Sequence, residues 1–295
     1  MKNAISKIEG LTYGVELEYE KISKEVAVRA LERLFGTHAQ YVGTYLDAWA
    51  VPMPDGRMWK VENDGSLDTG CETVSPVLTL ADMETLQNVV RALRHAGAKV
   101  RNTCGLHIHV GAGDMTPKHL VNLMKIWHVE ENFITKACGV VADRLAWFTR
   151  PSEIGFVRNA AKIKKPTWKQ LADIYYRGNE TIARPRSSHY CPARYRTVNL
   201  HNLFGSKSGY AWAKPTVEFR LFEATTHAGE VKANILFALS VVARAKHVRY
   251  TIMQDRKSTG GANAGKELAA WLTRFGWTDE YFKTAKHHIL KRVAQ

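Results

Sequence analysis

Apolar and polar residues alternate with period two in seven short runs of this chain, at 11–19, 41–50, 57–62, 72–75, 105–110, 195–203 and 216–224. Successive side chains of a strand point to opposite faces, so each run is predicted to be a β-strand with one buried face. Between the runs, apolar residues recur at helical spacing. Ser23 is placed to cap a helix running to Phe35. A second helix, from Thr79 to about Ala96, sets Leu80, Met83, Leu86, Val90 and Leu93 on one stripe, with Asp82 near its positive end and Gly97 as a stop. Thr116 followed by Pro117 reads as a cap and a proline at the first helical position, opening a helix to about Cys138. A further apolar helix is predicted over 229–247. Asn63-Asp64-Gly65 is a turn signal between the third and fourth strands. Strands and helices mix without a regular βαβ repeat, which predicts an α+β fold with an antiparallel sheet flanked by helices.

Two stretches depart from this pattern. Residues 150–194 are rich in basic residues and prolines and read as an irregular insertion lying over or beside a site, a candidate lid. From residue 251 the composition turns polar and glycine-rich (DRKSTGGANAG), a linker ahead of two predicted helices at 266–275 and 278–293. The expected organisation is therefore one domain over 1–250 and a helical appendage over 251–295. With 295 residues, 45% hydrophobic and 10% aromatic, the chain has ample material for a core. Its most apolar stretch, 235–243, is far shorter than the roughly 20 residues a bilayer helix needs, and MKNAISKIEGL lacks a signal-peptide apolar core. A soluble cytoplasmic protein is the expectation. Cys71, Cys104, Cys138 and Cys191 have no C-x-x-C spacing, which speaks against a zinc ribbon or a disulfide framework and leaves them as small buried hydrophobes.

The net charge is +14, from 42 Lys and Arg against 28 Asp and Glu, with basic clusters at 94–101, 157–169, 182–196 and 283–292. Such an excess suits an anionic partner: a nucleic acid, a nucleoside triphosphate or an acidic polypeptide. It also suits a merely solubilising surface, and charge alone does not choose.

Three pairs of polar residues, each separated by one position, sit inside the apolar strands: Glu16/Glu18, His107/His109 and Glu218/Arg220. Members of such a pair share a face, roughly 7 Å apart. Taken singly, Glu16/Glu18 would be a solvated strand face and Glu218/Arg220 a cross-strand salt bridge. Together, on half-buried strands, they are hard to desolvate without cations or phosphates between them. Asp64 and Glu72, flanking a glycine-containing loop, add carboxylates, with Asp68 and Glu62 as alternatives in the same loop. An oxygen-rich set of this kind suits Mg²⁺ or Mn²⁺ bridging phosphate oxygens. His107 and His109 follow Gly105, where backbone can approach closely. An H-x-H pair also occurs in zinc hydrolases, but no further histidine motif completes a nitrogen-rich sphere here. Arg194, Arg196 and Asn199 supply further donors. The stretch GGANAGK fits a phosphate loop only superficially, because Glu267 stands where a Ser or Thr hydroxyl is needed and no buried strand precedes it.

In this order, GVELE, DGSL, CETVSPVL, GLHIHVG, RYRTVNL and TVEFRLFEAT resemble the amidoligase family, a branch of the carboxylate-amine ligases that includes glutamine synthetase and glutamate-cysteine ligase. The resemblance spans about 11–245 and leaves out 150–190 and the last fifty or so residues, where substrate choice would be expected. It implies a sheet curved into a half-barrel funnel, glutamine-synthetase-like, with ATP entering at one end and the acceptor at the other. By position in the motifs, Glu18, Asp64 and Glu72 would hold one Mg²⁺ and Glu16, His107 and Glu218 another, while His109, Arg196 and Arg220 would bind ATP phosphates, with Asn199 among the nearby donors. Glu218, Arg196 and Arg220 would then be catalytic. The implied function is ATP-dependent joining of a carboxylate to an amine, on an amino acid, peptide or protein, through an acyl phosphate. Competing expectations are a basic protein that binds nucleic acid or an acidic partner on the same fold with a degenerate metal site, and a metal hydrolase using His107 and His109.

Overall fold

The computed structural model describes residues 4–43, 45–65, 67, 70–249, 251–254 and 264–291. Asp68, most of the polar linker with the first four residues of its GGANAGK stretch, and the end of the last predicted helix therefore lie outside the described residues, while the last three residues of that stretch open the helix Ala264–Arg274. The first half of the chain runs α1 (Ala4–Ile8), β1 (Tyr13–Glu20), α2 (Lys24–Phe35), β2 (Gln40–Tyr41), β3 (Trp49–Pro52), β4 (Met58–Glu62), β5 (Gly70–Val74), α3 (Met83–His95), β6 (Gly105–Gly111) and α4 (Pro117–Ala137). It continues through α5 (Ala142–Trp147), α6 (Ile154–Lys162), α7 (Trp168–Tyr176), β7 (Val198–Asn199), α8 (His201–Lys207), β8 (Thr216–Glu223), α9 (Ala228–His247), α10 (Ala264–Arg274) and α11 (Glu280–Leu290).

The strands form one eight-stranded sheet in the order β2-β3-β4-β5-β1-β6-β8-β7, and every neighbouring pair is antiparallel. The class expected from the pattern is thus present, but the half-barrel is not: the sheet is open at β2 and β7 and is not strongly curled. Bulges are what bend a sheet sharply, and the described strand pairs contain one register shift, between Leu106 and Ile108.

One face of the sheet is apolar. Tyr13, Val15, Leu17 and Tyr19 of β1, Leu106, Ile108 and Val110 of β6, and Val217, Phe219 and Leu221 of β8 are all buried. Helix α9 packs beneath β6 and against α1, α3, α4 and α11, and 14 of its residues are buried, so it is the centre of the core rather than a surface helix. Trp127 of α4 reaches the sheet edge-on to Phe219 at 5.4 Å between ring centroids. Helices α10 and α11 pack onto α4 and α9, and their Trp271, Leu272, Phe282 and Ile289 belong to the same apolar cluster. All four cysteines are buried. Among the described residues no helix is long and apolar enough to cross a membrane.

The caps are where the sequence placed them. Ser23 Oγ accepts from the Val26 N–H and Thr116 Oγ1 accepts from the His119 N–H; Gly36, which is not among the predicted stops, ends α2 in the left-handed conformation at φ 66°. The helix expected from Thr79 begins as a 3₁₀ turn, Leu80–Asp82, before α3 proper.

Three expectations are corrected. Residues 41–50 are not one strand: β2 and β3 are separated by a loop in which Gly43 and Asp47 take positive φ, 65° and 52°, a conformation no strand contains. Residues 195–203 give only the two-residue β7 before turning into α8, where Leu200, Leu203 and Phe204 are buried at helical rather than alternating spacing. Finally, 150–194 is irregular only in part, chiefly after residue 176. It holds α6, which buries Phe156, Val157 and Ala160, and α7, which buries Leu171, Tyr175 and Tyr176 and starts with a Thr167/Gln170 capping box. Helix α6 packs on α4 and α7, which fixes this region to the body of the fold.

Candidate active site

Antiparallel pairing brings side chains opposite one another onto one face, so the register of this sheet dictates the site. Glu62 of β4 lies opposite Glu72 of β5, and Glu72 opposite Glu18 of β1. Two residues along β1, Glu16 lies opposite His107 of β6. Two residues along β6, His109 lies opposite Glu218 of β8, and Glu218 opposite Asn199 of β7. A diagonal of charged groups thus crosses the polar face, from β4 to β7.

This face opens into a cavity of about 780 Å³ whose lining includes Glu16, Glu18, Asp64, Glu72, His107, His109, Glu218 and Arg220. Glu16 is the hinge of the arrangement: its two oxygens meet His107 Nδ1 at 2.8 Å and His109 Nε2 at 3.0 Å. His107 Nε2 is 3.4 Å from Glu18 Oε1, and Glu18 Oε2 accepts from the Gly105 N–H at 2.5 Å. Glu218 accepts from Arg220 Nη1 at 2.5 Å and from Asn199 Nδ2 at 2.6 Å. Asn199 is therefore a partner of Glu218 behind the cavity and is not part of its lining.

Two clusters emerge in which carboxylate or imidazole ligand atoms lie within 4.8 Å of one another: Glu18 with Asp64 and Glu72, and Glu16 with His109 and Glu218. The first is the trio that the motifs implied. In the second, His109 joins Glu16 and Glu218; His107, expected with those two acids, lies beside them, its Nδ1 2.8 Å from Glu16 Oε2 and 3.9 Å from Glu218 Oε1, and its Nε2 reaches toward Glu18, so that it bridges the two clusters. Both imidazoles meet the carboxylate of Glu16, so the site mixes nitrogen with oxygen donors.

The two clusters differ in charge balance. Burial alone would raise the pKa of Glu218, but the Arg220 guanidinium and His109 bring it down to about 2. Against the same burial, His109 and His107 hold Glu16 well below the usual carboxylate range. On the other side, burial raises Glu18 despite His107, and burial with the charges of Glu16, Asp64, Glu18 and Glu62 pushes Glu72 well above its ordinary value. Crowded carboxylates whose burial and mutual repulsion outweigh the nearby His107 and Arg144 are a donor set matched to a hard divalent cation such as Mg²⁺ or Mn²⁺.

Arg196 is not brought to this cavity. Its guanidinium donates to the Pro151 carbonyl at 3.1 Å and to Asn179 Oδ1 at 2.7 Å, and it tethers the start of β7 to the α6–α7 region. Two other arginines line the cavity, Arg194 and Arg144. Arg144 of α5 is buried, donates to the Thr103 and Arg220 carbonyls at 3.1 and 3.2 Å, and sits over Gly105, where a Cβ would stand 2.6 Å from Arg144 Nη2 and 2.9 Å from His107 Nε2. Only glycine allows that approach. Nothing in ADRLAW distinguishes Arg144 from a surface residue of a short helix. His189, Tyr190 and Tyr195 from the loop after α7, with Tyr45 and Leu46 from the β2–β3 loop, complete the wall. Tyr45 and Tyr190 share a hydrogen bond of 2.9 Å between their hydroxyls, linking the two loops across 145 positions of sequence.

A family model described as "Putative amidoligase enzyme" matches residues 9–242, which contain every lining residue named above. No curated protein matches the chain.

Proposed function

The chain belongs to the amidoligase family, and from that membership we propose that its cavity catalyses ATP-dependent joining of a carboxylate to an amine, on an amino acid, a peptide or a protein. The observation that carries this reading is the pairing of two cation-competent clusters on one sheet face with guanidinium groups beside them. Phosphoryl transfer to a carboxylate needs charge neutralised on several oxygens at once, and the resulting acyl phosphate needs shelter from water until an amine displaces phosphate.

The residues divide accordingly. Glu18, Asp64 and Glu72 would hold one Mg²⁺ and Glu16, His109 and Glu218 a second, and the ions supply positive charge to the transferring phosphoryl group. Arg220 and Arg144 present guanidinium donors toward the same space. Glu218 fixes Arg220, Asn199 fixes Glu218, and the carbonyls of Thr103 and Arg220 fix Arg144, so the donors are held in place before substrate arrives. His107, held by Glu16 and close to Glu18, sets the spacing of the two clusters. The Tyr45–Tyr190 link joins two loops of the cavity wall.

The test is direct. Purified protein, ATP and Mg²⁺ are incubated with panels of amino acids, amines and acidic peptides, and mass spectrometry seeks a product lighter by one water than its two reactants combined. Substrate-stimulated ADP formation is expected to fall by about 10²–10³-fold in Glu218→Gln and in Glu16→Gln, with circular dichroism unchanged. Turnover at the parent rate in both variants would overturn the assignment. Salt-sensitive binding of nucleic acid without ATP binding would instead support a binding protein on this fold.

A further inference from the structure

A second ligand set lies away from the cavity. His227, Glu230 and His288 bring one ligand atom each within 4.8 Å of the others, the remaining such cluster among the described residues. His227 is the cap of α9, where its Nδ1 accepts from the Glu230 N–H at 3.3 Å, and His288 comes from the last turn of α11. The rings of His227 and His288 lie 5.0 Å apart between centroids. Both converge over Gly229: a Cβ there would stand 2.7 Å from His288 Nε2 and 3.0 Å from His227 Cε1, so a side chain would fill the space the imidazoles share. His288 Nδ1 is buried with no hydrogen-bond partner among the described residues. Glu230 accepts from Thr225 Oγ1 at 2.7 Å and pairs with Lys291.

We propose that His227, Glu230 and His288 form a binding site for a transition-metal dication such as Zn²⁺ that fastens α11 to the start of α9. Two imidazoles and one carboxylate are a borderline ligand set suited to zinc, unlike the oxygen-rich cluster of the cavity. A tetrahedral ion with bonds of about 2.1 Å holds its ligands about 3.4 Å apart, within reach of small side-chain rotations from the present spacing. The fourth position is left to water. Lys291 occupies Glu230 as a competing cation, and the hydroxyl of Thr225 orients the carboxylate from behind, as outer partners of metal ligands do.

The full-length chain, stripped with EDTA and kept in excess Mg²⁺ to occupy the oxygen-rich cavity, is titrated with Zn²⁺ by calorimetry and with Co²⁺ by visible absorption. The expected result is one tight Zn²⁺ per chain, a melting temperature that rises with Zn²⁺, and tetrahedral Co²⁺ bands, all retained in Glu16→Gln. His288→Gln and Gly229→Ala are expected to weaken Zn²⁺ binding by more than the about 10–100-fold that altering an outer partner costs. Lys291→Met, which removes the competitor, is expected to tighten binding about tenfold, a gain that a purely structural Lys291–Glu230 ion pair would not produce. Melting curves in EDTA show whether each variant folds without metal. Zn²⁺ affinity equal to the parent's in His288→Gln, Gly229→Ala and Lys291→Met, or no Zn²⁺ binding by the parent, would overturn the site.

Discussion

Glu218 and Glu72 sit on the same sheet face, yet one is strongly favoured as an anion and the other is not, because Arg220 and His109 face the first while only acids crowd the second. A carboxylate kept in a place that resists its charge is a cost to the fold that a bound cation would remove. Glu72→Gln is therefore expected to raise the melting temperature of the metal-free protein by about 2–4 °C, the size of a change near 1 kcal/mol in a chain of this length, and to abolish the extra stabilisation that Mg²⁺ is expected to give the parent. A lower melting temperature without metal, together with an intact Mg²⁺ response, would show that Glu72 is structural. His201 offers a pH test at a group that is not itself one of the cavity acids. Its Nε2 donates to the Ser188 carbonyl and its Nδ1 accepts from the Tyr176 hydroxyl, and burial lowers its pKa to about 4. The unfolded chain takes up that proton near its ordinary value of about 6.5, so the stability contribution is present above that value and is lost as the pH falls toward 4. The loss amounts to about 3 kcal/mol between pH 7 and pH 4, and urea denaturation across that range should show it shrinking in His201→Gln.

Elements were legible where a single period governed them. The runs around β1 and β6 alternate strictly, that of β8 alternates as far as Leu221, and each carries one polar pair, so both the strand and its functional face could be read directly. Legibility failed where periods overlapped: Leu200, Leu203 and Phe204 serve a strand end or a helix equally well in isolation, and α6 and α7 carry their apolar stripes among lysines, arginines and prolines that suggest a loop. Asn199 was readable as a donor, but not that its target is Glu218, and Arg196 reads like Arg194 until the turn at Pro192–Arg194 sends them in different directions. Arg144 depends on a tertiary approach over Gly105 that no local pattern records. Register is the property that joins strand to site, and Gly70 tests it. Opposite Glu20 at the start of β5, a Cβ would run into the Tyr19 carbonyl oxygen and stand 2.9 Å from Leu67 Cδ1. Gly70→Ala is expected to cost about 1–3 kcal/mol as β5 shifts from β1, and to weaken Mg²⁺ binding because Glu72 moves with the strand away from Glu18. Denaturation midpoints with and without Mg²⁺ measure both effects, and a variant equal to the parent in each would contradict this register.

At the scale of the whole molecule the charge is divided. Six of the 28 acidic residues line the cavity, whereas the chain as a whole carries +14, so the surface outside the cavity is more cationic than the total suggests. Arg144, Arg194 and Arg220 extend that positive character into the cavity wall, beside the carboxylates. Divalent cations bound to those acids would give the interior the same sign as the exterior. An anionic carboxylate donor, such as a glutamate-rich peptide, would then be attracted over its whole approach, while an amine would gain nothing from the field. Long-range attraction acts on encounter and is screened within about 8–10 Å at 0.1–0.15 M salt, whereas interactions between buried groups inside the cavity are screened much less. With such a peptide as donor, kcat/KM is therefore expected to fall about tenfold between 50 and 300 mM NaCl while kcat changes by less than about twofold. A neutral donor with a single carboxylate should show a much shallower slope. Equal slopes for the two donors would remove the link between the basic surface and donor choice, and would leave that surface to some other anion.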